Sequence, residues 1–235
     1  MGRGWIHGHR LVAGAKRGKL FNKLSREISV AVKMGGSNPE GNARLKMALK
    51  EARQNSMPKD TIDRAVKKGA GADNTENFDE ITYEGYGPHQ VAFVVETLTD
   101  NKNRTAQDIR ALFTKYGAGL GESGSVLWGF DRVSFFIAKA AESETEVDAE
   151  EVAISIDADD VEAADDGFYH FYGKVEYFAQ ISKALSAMNW QIEKETLVYK
   201  PKNLTDVNEE QEKEVQDFFN KLDDHDDVKN IYLSL

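Results

Sequence analysis

Lys16, Lys19, Lys23, Arg26 and Lys33 follow one another at steps of three, four, three and seven residues, a spacing that lines cationic side chains along one side of an α-helix. The chemistry open to such a stripe is electrostatic. Ammonium and guanidinium groups along a rod donate hydrogen bonds to successive phosphates of a polyanion, and no covalent bond is made or broken. Arg17 lies beside the stripe, and two further basic sets follow it: Arg44, Lys46, Lys50 and Arg53, then Arg64, Lys67 and Lys68. Ahead of it a glycine-rich arm carries Trp5, His7, His9 and Arg10, a composition suited to lying along a sugar–phosphate chain or stacking on an unpaired base. His7 and His9 have no third or fourth ligand close in sequence, so they do not make a metal pair.

The surrounding charge sets these cations apart from an ordinary solvated helix surface. Up to Gly69 the chain holds sixteen lysines and arginines against five acids, Glu27, Glu40, Glu51, Asp60 and Asp63, a net of +11. The remainder holds the other fourteen bases and thirty-five acids, a net of −21, and the two parts together give the whole-chain −10. Protein surfaces normally intersperse both signs. A basic segment joined to an acidic remainder directs a nucleic acid to one end of the molecule.

Other residue groups carry less chemistry. The absence of cysteine excludes disulfides, thiol nucleophiles and cysteine-ligated metal sites. GAGLGESGS, Gly117 to Ser125, lacks the dinucleotide-binding spacing, follows a helical pattern instead of a first strand, and has no Walker-type lysine after it. In TDNKNRT, Thr99 to Thr105, the residues Asp100, Asn101 and Asn103 precede a helix that needs a cap. Asn101, Asn103 and Arg104 at that helix N-terminus are a further candidate phosphate contact, whereas the glycine and closing glutamate of a Ca²⁺ loop are missing. TYEGYGPHQ, Thr82 to Gln90, reads as a tight turn whose glycines take positive φ. The consecutive Asp223, Asp224, His225, Asp226 and Asp227 point in different directions and read as a solvated turn, not a metal cluster. No serine–histidine–acid or paired-carboxylate arrangement stands out, so no catalytic residue, cofactor or metal is expected.

The elements that must position the cations are three amphipathic helices over residues 15–68. In the first, Leu20, Phe21, Leu24, Ile28, Ala31 and Val32 form the apolar face opposite the stripe, and Gly35-Gly36 ends it. The second runs from an N-cap at Asn42 with Leu45, Ala48, Leu49 and Ala52 inward. The third starts at Ser56-Met57-Pro58, buries Ile62, Ala65 and Val66, and stops at Gly69. GAGADNTENFD then reads as a linker. Beyond it, strands are expected at Ile81–Glu84, Val91–Leu98 and Val126–Phe130, with a helix from Arg104 to Tyr116 between the last two. From 133 the order is strand, helix, strand, strand, helix, strand, a complete ferredoxin-like unit. A helix over 208–222 and a strand over 228–233 remain. The expected fold is α/β (α+β): an N-terminal three-helix basic domain with linker, 1–75, plus two small α/β ferredoxin-like domains. One of these, 133–203, is inserted in the other, a discontinuous domain of 76–132 with 204–235.

The run from Arg17 to Gly71, RGKLFNKLSREISVAVKMGGSNPEGNARLKMALKEARQNSMPKDTIDRAVKKGAG, followed by YEGYGP, TDNKNRT and GAGLGESGSVLWGF, resembles the YebC/PmpR family, which includes the mitochondrial translational activator of cytochrome c oxidase subunit I. That family opens with a Gly-His-Ser-Lys-Trp segment and a His-Arg-Lys stretch. Here GRGWIHGHRL keeps counterparts in Trp5, His9 and Arg10, lacks the Ser-Lys pair, and has Leu11 in place of a lysine. The resemblance implies a three-helix domain with two α/β domains, one inserted in the other. It also implies a role as a DNA-binding transcriptional regulator or as a factor acting on mRNA translation at the ribosome, and it implies no catalysis.

The expectation is a non-enzymatic nucleic-acid-binding regulator of gene expression, a DNA-binding transcriptional regulator. The alternatives are a ribosome-associated translation factor binding rRNA or mRNA, and a protein-interaction adaptor. Partners are DNA or RNA through the basic helices, and the ribosome or another protein through the acidic body. The N-terminus lacks the apolar core of a secretory signal and no run reaches the ~20 apolar residues of a membrane span, so a cytoplasmic monomer is expected.

Overall fold

In a computed structural model of the chain, residues 15–72, 78–140 and 148–235 are described. The chain forms two compact units, one of Met1–Gly129 with Pro201–Leu235 and one of Phe130–Lys200. The expected linker falls largely on 73–77, outside the described residues.

The first unit begins with helices α1 (Ala15–Gly35), α2 (Ala43–Gln54) and α3 (Lys59–Lys67). Their apolar faces meet as the periodicity predicts: Leu24, Ile28, Ala31, Val32, Leu45, Ala48, Leu49, Ala52, Met57, Ile62 and Ala65 form one buried cluster. Asn42 ties the first two helices together. Its carboxamide oxygen accepts from the Leu45 backbone N–H at 3.1 Å, capping α2, and its nitrogen donates to the carbonyls of Ala31 (2.7 Å) and Gly36 (2.9 Å). The stop assigned to Gly69 lies elsewhere. Beyond α3 a single wide turn continues through Lys68–Ala72, and the positive φ of 91° falls at Gly71. Gly69 serves close packing instead, since a Cβ there would meet the backbone of Ser29 and the Val32 side chain.

The sheet of the same unit has the order β3-β1-β2-β8, with neighbours antiparallel throughout. It comprises β1 (Asp79–Tyr86), β2 (Ala92–Thr99), β3 (Gly119–Leu120) and β8 (Val228–Leu233). Helices α4 (Lys102–Lys115) and α7 (Glu209–Asp223) pack on it through Phe93, Phe113 and Phe218. These three rings meet edge-to-face at centroid distances of 4.9–6.4 Å. The glycines of the TYEGYGPHQ turn do not take positive φ; His89 (58°) and Gln90 (61°) do. Gly85 and Gly87 are required by crowding: a Cβ on the first would meet the Gly119 carbonyl and the Phe113 ring, and on the second the Phe93 and Phe218 rings.

The expected strand over Val126–Phe130 is a 3₁₀ turn at Leu127–Gly129 that leads directly into a strand starting at Phe130. The third strand of this sheet is instead the two-residue β3. The cause is Glu84, whose buried carboxylate accepts from the backbone N–H groups of Gly124 (2.6 Å), Val126 (2.9 Å) and Leu127 (2.7 Å). Donors committed to a carboxylate are lost to a ladder. Burial raises the Glu84 pKa, but the three N–H donors outweigh it and hold the group below its ordinary value.

The second unit runs β4 (Phe130–Lys139), α5 (Ala149–Ser155), β5 (Asp160–Ala163), β6 (Tyr169–Lys174), α6 (Phe178–Ala187) and β7 (Gln191–Pro201). Its sheet order, β5-β6-β4-β7, is that of the ferredoxin-like fold. Phe136, Ala138, Ala153, Ile156, Phe171, Ile181, Leu185 and Trp190 form its core. Gly85→Ala is expected to destabilise the first unit by about 1–3 kcal/mol through overpacking against Phe113, read by urea denaturation. Unchanged stability would contradict the close approach of β3 and α4 at this position.

Candidate nucleic-acid interface

The cationic stripe of α1 meets the chain's own acids. Lys19 Nζ donates to the Asp224 carbonyl at 2.9 Å and lies 3.5 Å from that residue's carboxylate. Lys23 Nζ reaches the carbonyl (2.6 Å) and carboxylate (3.0 Å) of Asp223. Arg26 donates to the Asp226 carbonyl (2.7 Å) and the Asp227 carboxylate (2.6 Å). All four acceptor residues lie at the C-terminal end of α7 or in the turn to β8, where unsatisfied carbonyls add to the carboxylate charge. The run 223–227 is therefore a docking site for α1, which corrects its reading as a merely solvated turn.

Asp227 is the innermost of these acids, 3% exposed. Besides Arg26 it accepts from Arg104 (2.8 Å) and from the hydroxyls of Thr105 (2.7 Å) and Thr99 (3.2 Å). The TDNKNRT segment supplies those groups. Asn101 caps α4 by accepting from the Arg104 N–H at 3.1 Å, Thr99 accepts from the Asn101 N–H at 2.9 Å, and Arg104 also pairs with Asp100 at 2.7 Å. Burial raises the Asp227 pKa, but hydrogen bonds from Arg104 and Thr105 and the charges of Arg26 and Arg104 outweigh it, and the net shift is downward.

A second cluster has the opposite arrangement, with an acid of the basic segment bound by cations. Glu27 receives Arg44 through two parallel bonds, Nε at 2.6 Å and Nη2 at 3.0 Å, and Lys229 at 3.0 Å; Arg44 also pairs with Glu80. Lys229 is the extra residue of a bulge, since Glu96 pairs with Asn230 and Thr97 with Val228; bulges of this kind re-aim a side chain. Desolvation raises the Glu27 pKa but the bonds and charges of Arg44 and Lys229 lower it further, and the Arg44 pKa is raised in turn.

The remaining candidate contacts divide by exposure. Trp5, His9 and Arg10 lie outside the described residues, as does the side chain of Lys16. Arg17, Lys33, Lys46, Arg53, Arg64, Lys67 and Asn103 are exposed, and Lys50 and Lys68 are half-buried. Lys46 lies 3.3 Å from Glu40, and Lys68 stands over the Phe78 ring at 5.8 Å. Sequence reasoning missed Asp227, Glu27, Lys229 and Glu84 as organising residues. Two signals pointed to the first two, four aspartates around the end of one helix for Asp227 and one acid embedded in an otherwise cationic helix for Glu27, and no local signal marked Lys229 or Glu84. Among the described residues no group of three or more histidines and acids suits a metal, and no helix is long and apolar enough to cross a membrane.

Asp227 and Glu27 titrate below their ordinary values in the folded chain. Their contribution is thus fully present above the unfolded carboxylate pKa and is lost as pH falls through the depressed folded value. Asp227→Asn is expected to cost about 2–4 kcal/mol near neutral pH, because it leaves Arg26 and Arg104 without their shared acceptor. Its unfolding midpoint should also fall less steeply than the wild type's below pH ~4. Parallel acid profiles would contradict the role assigned to this carboxylate.

Comparison with known proteins places the whole chain. Residues 4–72 match the family model described as TACO1/YebC protein N-terminal domain, and residues 78–235 that described as TACO1/YebC second and third domain. The sequence is 43% identical over 236 residues, covering 100% of both chains, to a probable transcriptional regulatory protein of Bdellovibrio bacteriovorus. It is 44% identical over 230 residues to one of Lactobacillus acidophilus, covering 97% of this chain and 93% of that one. The crystal structure of a conserved hypothetical protein from Aquifex aeolicus superposes with a TM-score of 0.86 at 38% identity, covering 98% of this chain and 96% of the other. With both family models matched in sequence order and relatives aligned over 93–100% of their length, the chain belongs to the TACO1/YebC family.

Proposed function

We propose that this protein is a non-enzymatic, nucleic-acid-binding regulator of gene expression, a DNA-binding transcriptional regulator that works in the cytoplasm as a monomer. The observation that carries the reading is the cation display of the helical segment. Arg17, Lys33, Lys46, Arg53, Arg64 and Lys67 are exposed while Glu27, one of its five acids, is drawn inward. Ammonium and guanidinium groups spread over helix surfaces position a phosphate backbone without reading bases. The description of the bacterial relatives as probable transcriptional regulatory proteins supports the same reading. The acidic remainder repels the polyanion and is left for a protein partner or the ribosome.

One observation favours a second reading, a translation factor bound to rRNA or mRNA. The exposed positions of α3 are Lys59, Asp60, Asp63, Arg64 and Lys67, without the Asn or Gln that pairs with adenine in a DNA recognition helix. Backbone contact on a shaped RNA needs no such residues.

Anisotropy titrations of a labelled DNA duplex and a single-stranded RNA over a salt series test the proposal. If about six phosphates are neutralised, log K on duplex DNA falls with log salt at a slope of about −5. Lys46→Glu, Arg53→Glu and Lys67→Glu together abolish binding to either nucleic acid. A salt-independent affinity, or binding that survives the reversal, would overturn it.

A further inference from the structure

We infer that Lys19 and Lys23 form a polyanion-binding site whose present occupant is the chain's own turn at Asp223 and Asp224, and that a nucleic-acid backbone takes that turn's place. The inference rests on the nucleic-acid reading above and deepens it by naming the site and its internal competitor.

The internal occupant has the chemistry of the external one. Each lysine is met by a carboxylate together with a carbonyl oxygen, 2.6–3.5 Å away. Such paired acceptors resemble the oxygens of successive phosphates, and the end of α7 adds its dipole to their charge. The carboxylates of Asp223 and Asp224 make no other ion pair or side-chain hydrogen bond among the described residues. Their role is to occupy the stripe.

The ion pairs along the stripe are graded. The side chains of Lys19 and Asp224 are 45% and 40% exposed, and those of Lys23 and Asp223 are 15% and 40% exposed. Arg26, by contrast, is paired with Asp227, which is 3% exposed and shared with Arg104, Thr99 and Thr105. Exposed pairs are weak and exchange with other ions, whereas a buried pair opens only at high cost. Arg26–Asp227 and the Glu27–Arg44–Lys229 cluster therefore keep α1 docked while Lys19 exchanges partners at the surface and the more buried Lys23 follows through its half-exposed partner Asp223. A polyanion has an advantage in that exchange, because each phosphate neutralised releases a condensed counterion, which an internal aspartate cannot do.

The test is Asp223→Asn/Asp224→Asn in the full-length chain, with anisotropy titrations on a mixed-sequence DNA duplex and a single-stranded RNA. Affinity at low salt should rise roughly 2- to 30-fold, and the salt slope on duplex DNA should steepen by about 2. Adding Lys19→Gln and Lys23→Gln should remove the gain. The control Glu209→Gln/Glu210→Gln makes the same change in net charge at the other end of α7, about 21 Å away, and should leave the slope unchanged. Thermal unfolding checks that each variant is folded; if the double variant is not, Asp224→Asn alone, at the most exposed pair, should raise affinity in the same direction. The inference is overturned if wild type binds and the Asp223→Asn/Asp224→Asn variant binds no better, or if the control gains as much. If neither wild type nor variant binds either nucleic acid, the nucleic-acid reading itself fails, and the inference with it.

Discussion

A carboxylate withdrawn from water must find hydrogen-bond donors or cations, or lose its charge, and Asp227 meets that constraint by collecting arginines from two distant parts of the chain. Arg26 comes from α1 and Arg104 from the start of α4, while Thr99 and Thr105 complete the shell. Removing either arginine leaves a buried charge short of a partner, so the placement of α1 against the α7–β8 turn is coupled to the capping of α4. Glu27 applies the same constraint from within the basic segment, drawing Arg44 and the bulge residue Lys229 together. The helical segment is thus held by two charge clusters, one built around the buried Asp227 and one around the half-buried Glu27.

The net charge of the basic segment consequently overstates what a ligand meets. Lys19, Lys23, Arg26 and Arg44 are engaged within the first unit, whereas Arg17, Lys33, Lys46, Arg53, Arg64 and Lys67 are exposed. Glu40, Glu51, Asp60 and Asp63 are exposed in the same segment, and Lys46 pairs with Glu40, so the exposed cations are in excess there and not alone. Geometry and composition together support the proposed contact with a phosphate backbone.

Local physics was legible in the sequence. The apolar faces of the three helices, the caps at Asn42 and Asn101, and the strand–helix order of the ferredoxin-like unit all follow from period and capping chemistry, and the structure reproduces them. Long-range pairing was not legible. Lys23 and Asp223 are 200 residues apart, and the periodicity that put the stripe on one face carries no information about what covers that face. The same limit explains the strand misread over Val126–Phe130, whose apolar pattern was sound but whose N–H groups Glu84 had claimed from 40 or more residues away. Glycine was misread for a related reason. At Gly69, Gly85 and Gly87 the constraint is crowding by a distant neighbour, where sequence reasoning expected a local turn.

Ultraviolet crosslinking in growing cells, with sequencing of the DNA and RNA recovered on the wild-type chain and on the Lys46→Glu, Arg53→Glu, Lys67→Glu variant, tests the central claim most directly. The account predicts nucleic acid on the wild type that is lost from the variant, with discrete promoter DNA marking a transcriptional regulator and clustered ribosomal RNA a translation factor. Equal recovery on both chains, or none on either, would contradict it.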